Sequence, residues 1–223
     1  NILSLVSLPD FNPNERQNIT DVNYINRVTK GTYELGSVFK VFTFASALNE
    51  KLIEPDTEFL DLPKSIKCDR YRIGEYDNEI PSDLTAEQIL VRSGNIGSVR
   101  IAEKVGIENY NEFLQNIGII SNLEFDIQEV GTTQLGRWGK CKLATIAFGH
   151  GIATTLLQLS KGYSIISNGG YEITPSLSST ISLQFFRKQL GSSSSSSTSA
   201  TTITPVTNSI TLTFISISPL LVQ

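Results

Sequence analysis

The sequence predicts an α/β (α+β) chain, in which helices with sharply marked ends alternate with short strands and irregular connections. Three observations predict it. Apolar runs of helical length stop at glycines. Two capping boxes, Thr85-Ala-Glu-Gln88 and Thr155-Leu-Leu-Gln158, open further helices. Brief β-prone runs stand between stretches rich in Pro, Asn and Asp. A hydrophobic content of 39% in 223 residues supports a buried core. The net charge of −4, with no cluster of basic residues, gives no reason to expect a nucleic-acid partner.

Taken in order, Ile2 to Ser7 is a short apolar run before Pro9 and reads as a strand. Residues 9–30 read as a loop. Residues 37–49 read as a helix, apolar nearly all round and therefore buried. Residues 51–81 mix prolines, charges and aromatics, and read as irregular with short strands. Residues 86–117 give three short helices ended by Gly94, Gly106 and Gly118. Residues 121–141, with the single tryptophan Trp138, are irregular, and 142–151 lead into Gly149-His150-Gly151. The box at Thr155 opens a helix to about Ser167, which Asn168-Gly169-Gly170 ends. From Gly191 the chain becomes Ser/Thr-rich and should be flexible through about Thr202. Ile210 to Ser218 alternates as a strand does.

The chemistry centres on Ser37 and Lys40. A serine hydroxyl is a poor nucleophile until a base removes its proton. Three-residue spacing on a helix places the lysine amine over the serine on one face. Gly36 permits a tight turn before the helix, which puts Ser37 at an N-terminus where developing negative charge is favoured. Phe39, Val41 and Phe42 flank Lys40. Desolvation among them should lower its pKa and leave part of it neutral. By itself Ser-x-x-Lys is a weak signal, since most such matches are a solvated serine and a snorkelling lysine. A second element, Ser93-Gly94-Asn95, lies in a tight connection between two helices, 56 positions after Ser37. Such a loop can aim a hydroxyl and an amide into a cleft, although Ser, Gly and Asn are common in ordinary turns.

In this order and spacing the two elements resemble the penicillin-binding and serine β-lactamase superfamily. Five segments narrow the resemblance: Ser7-Leu-Pro-Asp-Phe-Asn-Pro-Asn14, Asn26-Arg27, Tyr33 to Lys40, Arg92-Ser-Gly-Asn-Ile-Gly97, and Phe148-Gly-His-Gly151 with Leu157-Gln158. Together they resemble the class B penicillin-binding proteins, the septal peptidoglycan D,D-transpeptidases of cell division. The likeness runs from residue 1 to about residue 177. It implies a penicillin-binding transpeptidase fold, here incomplete: a helical subdomain plus a partial antiparallel sheet, with the first strand one arm of a central hairpin. Leu156 stands where members of the family usually have proline.

The resemblance also implies roles. Ser37 would be the nucleophile, Lys40 its general base, Ser93 a proton relay to the leaving amine, and Asn95 a group that binds substrate and orients Lys40. Peptidoglycan stem peptides and β-lactam antibiotics would be the ligands, and membrane proteins of the division complex the partners. The place of action would be the periplasmic face of the bacterial inner membrane, and no cofactor is implied. The family's third motif, Lys-Thr/Ser-Gly, does not occur in the sequence, which implies impaired turnover. Composition and resemblance change together near Leu177. We therefore expect residues 1–177 to form a truncated transpeptidase domain. Residues 178–223 are expected to be a tail foreign to the family, for which a reading-frame shift is preferred over a true linker with a short strand. The chain has no methionine, no signal peptide and no apolar run long enough to span a bilayer, and so reads as a fragment or a processed product.

Cys68 and Cys141 stand 73 positions apart, outside any C-x-x-C pair. They give no metal pattern, and the sequence leaves a disulfide open. His150 is the only histidine, and with two scattered cysteines it makes a poor zinc site. Gly149-His150-Gly151 is expected to be a backbone turn near the cleft with a packed imidazole. Asn18-Ile19-Thr20 matches the glycosylation acceptor pattern, a frequent chance match. Two further functions stay open. A D,D-carboxypeptidase or serine β-lactamase shares the first two motifs, and hydrolysis of a chromogenic cephalosporin would reveal it. A non-catalytic interaction module of the division complex would take no penicillin label.

Overall fold

A computed structural model describes residues 2–9, 12, 14 and 24–177, together with the backbone of Thr213–Ile215. The expectations for most of residues 9–23, and for the tail beyond Leu177 apart from that strand, lie outside the described residues.

The strands are short and the helices form the core. In chain order the elements are β1 (Ser4–Val6), β2 (Thr32–Glu34), a 3-10 turn (Gly36–Phe39), α1 (Lys40–Asn49), β3 (Glu58–Phe59), β4 (Ser65–Cys68), β5 (Tyr71–Gly74) and β6 (Leu84–Thr85). Then follow α2 (Ala86–Val91), α3 (Asn95–Val105), α4 (Ile107–Asn116), β7 (Gln134–Leu135), α5 (Lys140–Ile146), β8 (Ile152–Thr155), α6 (Leu156–Ser167) and β9 (Thr213–Ile215).

Helix α1 runs through the middle and packs against α3 and α4. Its buried side chains include Phe42, Phe44 and Ala47, as expected of a run apolar on every face. Phe42 meets Phe39 and Tyr163 edge-on, with ring centroids 5.0 and 5.3 Å apart. Thr43 is a polar crossing point in this core. It donates to the Ala147 carbonyl at 2.9 Å and takes a 2.7 Å hydrogen bond from Tyr110. Burial pushes the Tyr110 phenol up, out of reach of ionisation.

Both capping boxes form. The Thr85 and Thr155 hydroxyls each accept from the backbone three residues on, and Gln88 and Gln158 reach back. Gln158 is also the hub of a buried polar knot. Its carbonyl accepts from Thr133, Thr154 and Thr155, and its amide donates to the Ile119 and Ser121 carbonyls at 3.1 Å.

The expected partial antiparallel sheet is present as β2-β8-β7, with Thr32 opposite Thr155 and Gln134 opposite Ala153. The first strand is not one of its arms. β1 pairs instead with β9, in parallel, Ser4 opposite Thr213. Two strands so far apart in sequence can pair parallel because no tight turn has to join them. Two more pairs, β3-β6 and the β4-β5 hairpin, lie outside the sheet. Four elements go beyond the sequence reading: β2, β8 and most of helix α5 lie where no element was assigned, and β7 lies within residues 121–141, expected to be irregular. Cys68 and Cys141 are joined in a disulfide, Cα atoms 5.5 Å apart, which ties the β4-β5 hairpin to α5. Among the described residues no helix is long and apolar enough to cross a membrane.

Candidate active site

The site is built where the chain turns into α1. Helix α1 begins at Lys40, not at Ser37. Ser37 lies in the 3-10 turn, whose tighter winding eclipses side chains three apart. That geometry sets Ser37 and Lys40 in line more directly than an α-helical turn would. The turn is held from three sides. Gly36, at φ 58°, donates its N–H to the Gly149 carbonyl at 3.3 Å. The Lys40 N–H bonds back to the Ser37 carbonyl. Tyr163 donates to the Val38 carbonyl at 2.6 Å.

Lys40 is 1% exposed, whereas Ser37 is exposed to solvent. A buried ammonium must have its donors satisfied, and this one does. It donates to Ser37 Oγ at 3.1 Å, to Ser93 Oγ at 2.9 Å, and through a short bond to the Ser93 carbonyl. Burial lowers its pKa to about 8, against a smaller opposing pull from the Glu75 carboxylate. The arrangement is an accessible hydroxyl with an amine behind it, and a second hydroxyl on the amine's far side. It can take a proton from Ser37 and hand it on through Ser93.

Ser93 follows α2 at φ 55°, a left-handed conformation uncommon for serine. Its N–H bonds to the Leu90 carbonyl at 3.0 Å. Asn95 is the first residue of α3, and no direct hydrogen bond joins it to Lys40. Its amide donates to the Gly74 carbonyl at 2.9 Å, while the Lys40 ammonium is held by Ser93. The reason is geometric: the helix start turns Asn95 toward the end of β5. Gly149 and Gly151 take φ of 83° and 75°, so the expected turn is there. Its imidazole is exposed, not packed inside, and only leans on the Phe148 ring at 5.0 Å.

One residue of the site has no counterpart in the sequence reading. Glu75 accepts N–H bonds from both Asn95 and Ile96 at the start of α3. A signal does exist: α3 is preceded by Gly94, which offers no side-chain cap, so its first N–H groups need an acceptor from elsewhere.

The family model for the penicillin-binding protein transpeptidase domain matches residues 1–213. The chain belongs to this family. The curated relatives it resembles are class B penicillin-binding proteins. Over 170 residues it is 29% identical to the "Probable peptidoglycan D,D-transpeptidase FtsI" of Caulobacter vibrioides, covering 76% of this chain and 28% of that one. It is 31% identical to stage V sporulation protein D of Bacillus subtilis over 179 residues, 78% of this chain and 28% of that one. The chain thus spans between a quarter and a third of the length of these two relatives. Among solved structures, the apo transpeptidase domain of Burkholderia pseudomallei penicillin-binding protein 3 superposes with a TM-score of 0.63 at 24% identity. That alignment covers 68% of this chain and 46% of that one. Penicillin-binding protein 3 of Mycobacterium tuberculosis, solved with aztreonam, gives 0.61 at 23% identity, covering 68% and 34%. These penicillin-binding protein folds account for the mixed helix-and-sheet architecture and its partial sheet.

Proposed function

We propose that the chain carries the acylation chemistry of a septal peptidoglycan D,D-transpeptidase. Ser37 Oγ attacks the carbonyl of the penultimate D-Ala of a stem peptide. Lys40 takes its proton, and Ser93 relays a proton to the departing amine. An ester bond to Ser37 forms, the peptide C–N bond breaks, and terminal D-Ala leaves. The amine of a second stem peptide then displaces Ser37 and completes the cross-link. Asn95 borders the substrate amide from the start of α3. A β-lactam ring stops the sequence at the ester. The setting is the periplasmic face of the inner membrane, among membrane proteins of the division complex.

The observation that carries this reading is the buried Lys40 amine within hydrogen-bond reach of both the Ser37 and Ser93 hydroxyls. The 223 residues contain no Lys-Thr-Gly or Lys-Ser-Gly. In this family the strand that carries that motif would supply an oxyanion donor, and losing one typically costs about 100- to 1,000-fold, so we expect this chain to acylate slowly. Intact-mass measurement after benzylpenicillin tests the reading. One adduct is expected, absent in Ser37→Ala. No adduct after prolonged exposure, or an adduct that survives the substitution, refutes it.

A further inference from the structure

We propose that Glu75 is a positioning residue of this site, which holds Ser93 against Lys40 by gripping the start of α3 and which sets the charge felt by the lysine. The inference rests on the function proposed above for Ser37, Lys40 and Ser93.

Helix α3 starts without help from its own N-cap, because Gly94 has no side chain to offer. Its first N–H groups would be orphans. The Glu75 carboxylate takes two of them, Asn95 through Oε2 and Ile96 through Oε1 at 2.9 Å. A carboxylate on backbone N–H groups at a helix N-terminus gains from both charge-assisted bonding and the helix dipole. The neighbouring Gly74 carbonyl takes the Asn95 side-chain amide. The end of β5 therefore clasps three donors of the two residues that open α3.

Ser93 lies just upstream of that clasp. On its other side it hangs from α2, a helix of only six residues. With φ at 55° its backbone would relax elsewhere if either side let go. Two of the three acceptors on the Lys40 ammonium belong to Ser93. Movement of this residue would therefore undo most of what holds the base. Glu75 is also the charged group that acts on Lys40 among the described residues. Other titratable groups around α1 are engaged apart from it. Arg100 pairs with Glu103 at 2.7 Å, Lys161 lies 3.7 Å from Glu172, Tyr110 bonds to Thr43, and Tyr163 donates to Val38.

The test uses the full 223-residue chain with 13Cε-labelled lysine. The Lys40 resonance is assigned by its loss in Lys40→Arg and titrated by NMR. Glu75→Gln keeps the shape and one acceptor oxygen but removes the charge. Its Lys40 midpoint should fall below that of the parent, a change that a merely structural cap would not produce. Glu75→Ala removes the grip, so hydrogen exchange at the Asn95 and Ile96 amides should quicken about tenfold or more as their charge-assisted bonds are lost. An unchanged Lys40 midpoint in Glu75→Gln overturns the proposal, and so does unchanged exchange in Glu75→Ala. If Glu75→Ala does not fold, the Glu75→Gln midpoint alone decides. Neither readout needs turnover. A parent chain that takes no penicillin label therefore refutes the acylation reading, while the titration still decides the role of Glu75.

Discussion

Gly149→Ala should cripple the site from a distance, without touching any residue assigned to the chemistry. Gly149 sits at φ 83°, and a Cβ added there would lie 2.0 Å from the Gly36 carbonyl oxygen and 2.8 Å from Phe39 Cβ. Carbon and oxygen rest at about 3.3 Å or more. The turn that carries Ser37 would therefore have to move by about 1 Å. The left-handed backbone costs an alanine about 1–2 kcal/mol, and overpacking adds about 1–3. A displacement of about 1 Å in a reacting group costs on the order of 100-fold in rate. Gly170→Ala is the control, since Gly170 sits at φ 87° with nothing within 4 Å. It should lose stability from the backbone alone. The assay is the labelling rate with fluorescent penicillin, read well below both melting temperatures, beside thermal unfolding of each variant. For a chain of this size each kcal/mol lowers Tm by about 2–4 °C. Labelling of Gly149→Ala within about threefold of the parent, or equal loss in the control, would refute the coupling between the Gly149 turn and Ser37.

The remaining predictions concern the base, the cross-link and the buried polar knot. Only the neutral amine of Lys40 accepts a proton, and with a pKa of about 8 roughly a tenth of it is neutral at pH 7 and half at pH 8. Labelling should therefore rise about fivefold between those values and level off above pH 9. A flat profile would exclude Lys40 as the base. Because its folded pKa lies below the unfolded 10.5, the unfolded chain binds the extra proton between about pH 8 and 10.5. This residue should therefore add stability as pH climbs through that window, visible in denaturant midpoints. Opening the disulfide, which links residues 73 apart, should cost about 4 kcal/mol. Cys68→Ser with Cys141→Ser should match the reduced parent in urea, and a midpoint insensitive to reductant would contradict this. Gln158→Leu removes the amide donor to the Ser121 carbonyl, one of the donors to the Ile119 carbonyl, which keeps the Thr133 hydroxyl, and the acceptor of three threonines. It should cost about 2–5 kcal/mol, and a loss below about 0.5 in chemical denaturation would show the knot to be dispensable.

What could be read in the sequence was what is local. The helices of residues 86–117, the two capping boxes and the stops at Gly106 and Gly118 rest on spacings of four residues or fewer and appear as expected, whereas α2 ends with Arg92 as its C-cap and Gly94 opens α3 instead of closing α2. The burial of Lys40 and its nearness to Ser37 follow from an i,i+3 pattern flanked by phenylalanines. What stayed hidden depends on partners far along the chain. The β2 and β8 strands are three and four residues long and exist because they pair with each other. Helix α5, seven residues of mixed polarity, is too short to show a period. The disulfide needed Cys68 and Cys141 brought within 5.5 Å by the hairpin and α5. Glu75 lies 20 positions from the amide it caps. Even within one turn the winding is hidden: a 3-10 turn and an α-helix share the same residue preferences, so the sequence does not separate Ser37 from the helix that follows it.

The left-handed backbone of Ser93 sets two selections against each other. Glycine would occupy φ 55° without the penalty of about 1–2 kcal/mol that a side chain incurs there. But glycine has no hydroxyl to complete the path proposed above between Lys40 and a leaving group. A library ranked by heat resistance alone would therefore drift toward Ser93→Gly and discard the chemistry along with the strain. One ranked by penicillin labelling would keep the serine and accept a softer protein. The torsion angle at one residue thus makes position 93 a gauge of what a lineage of this chain has been selected for.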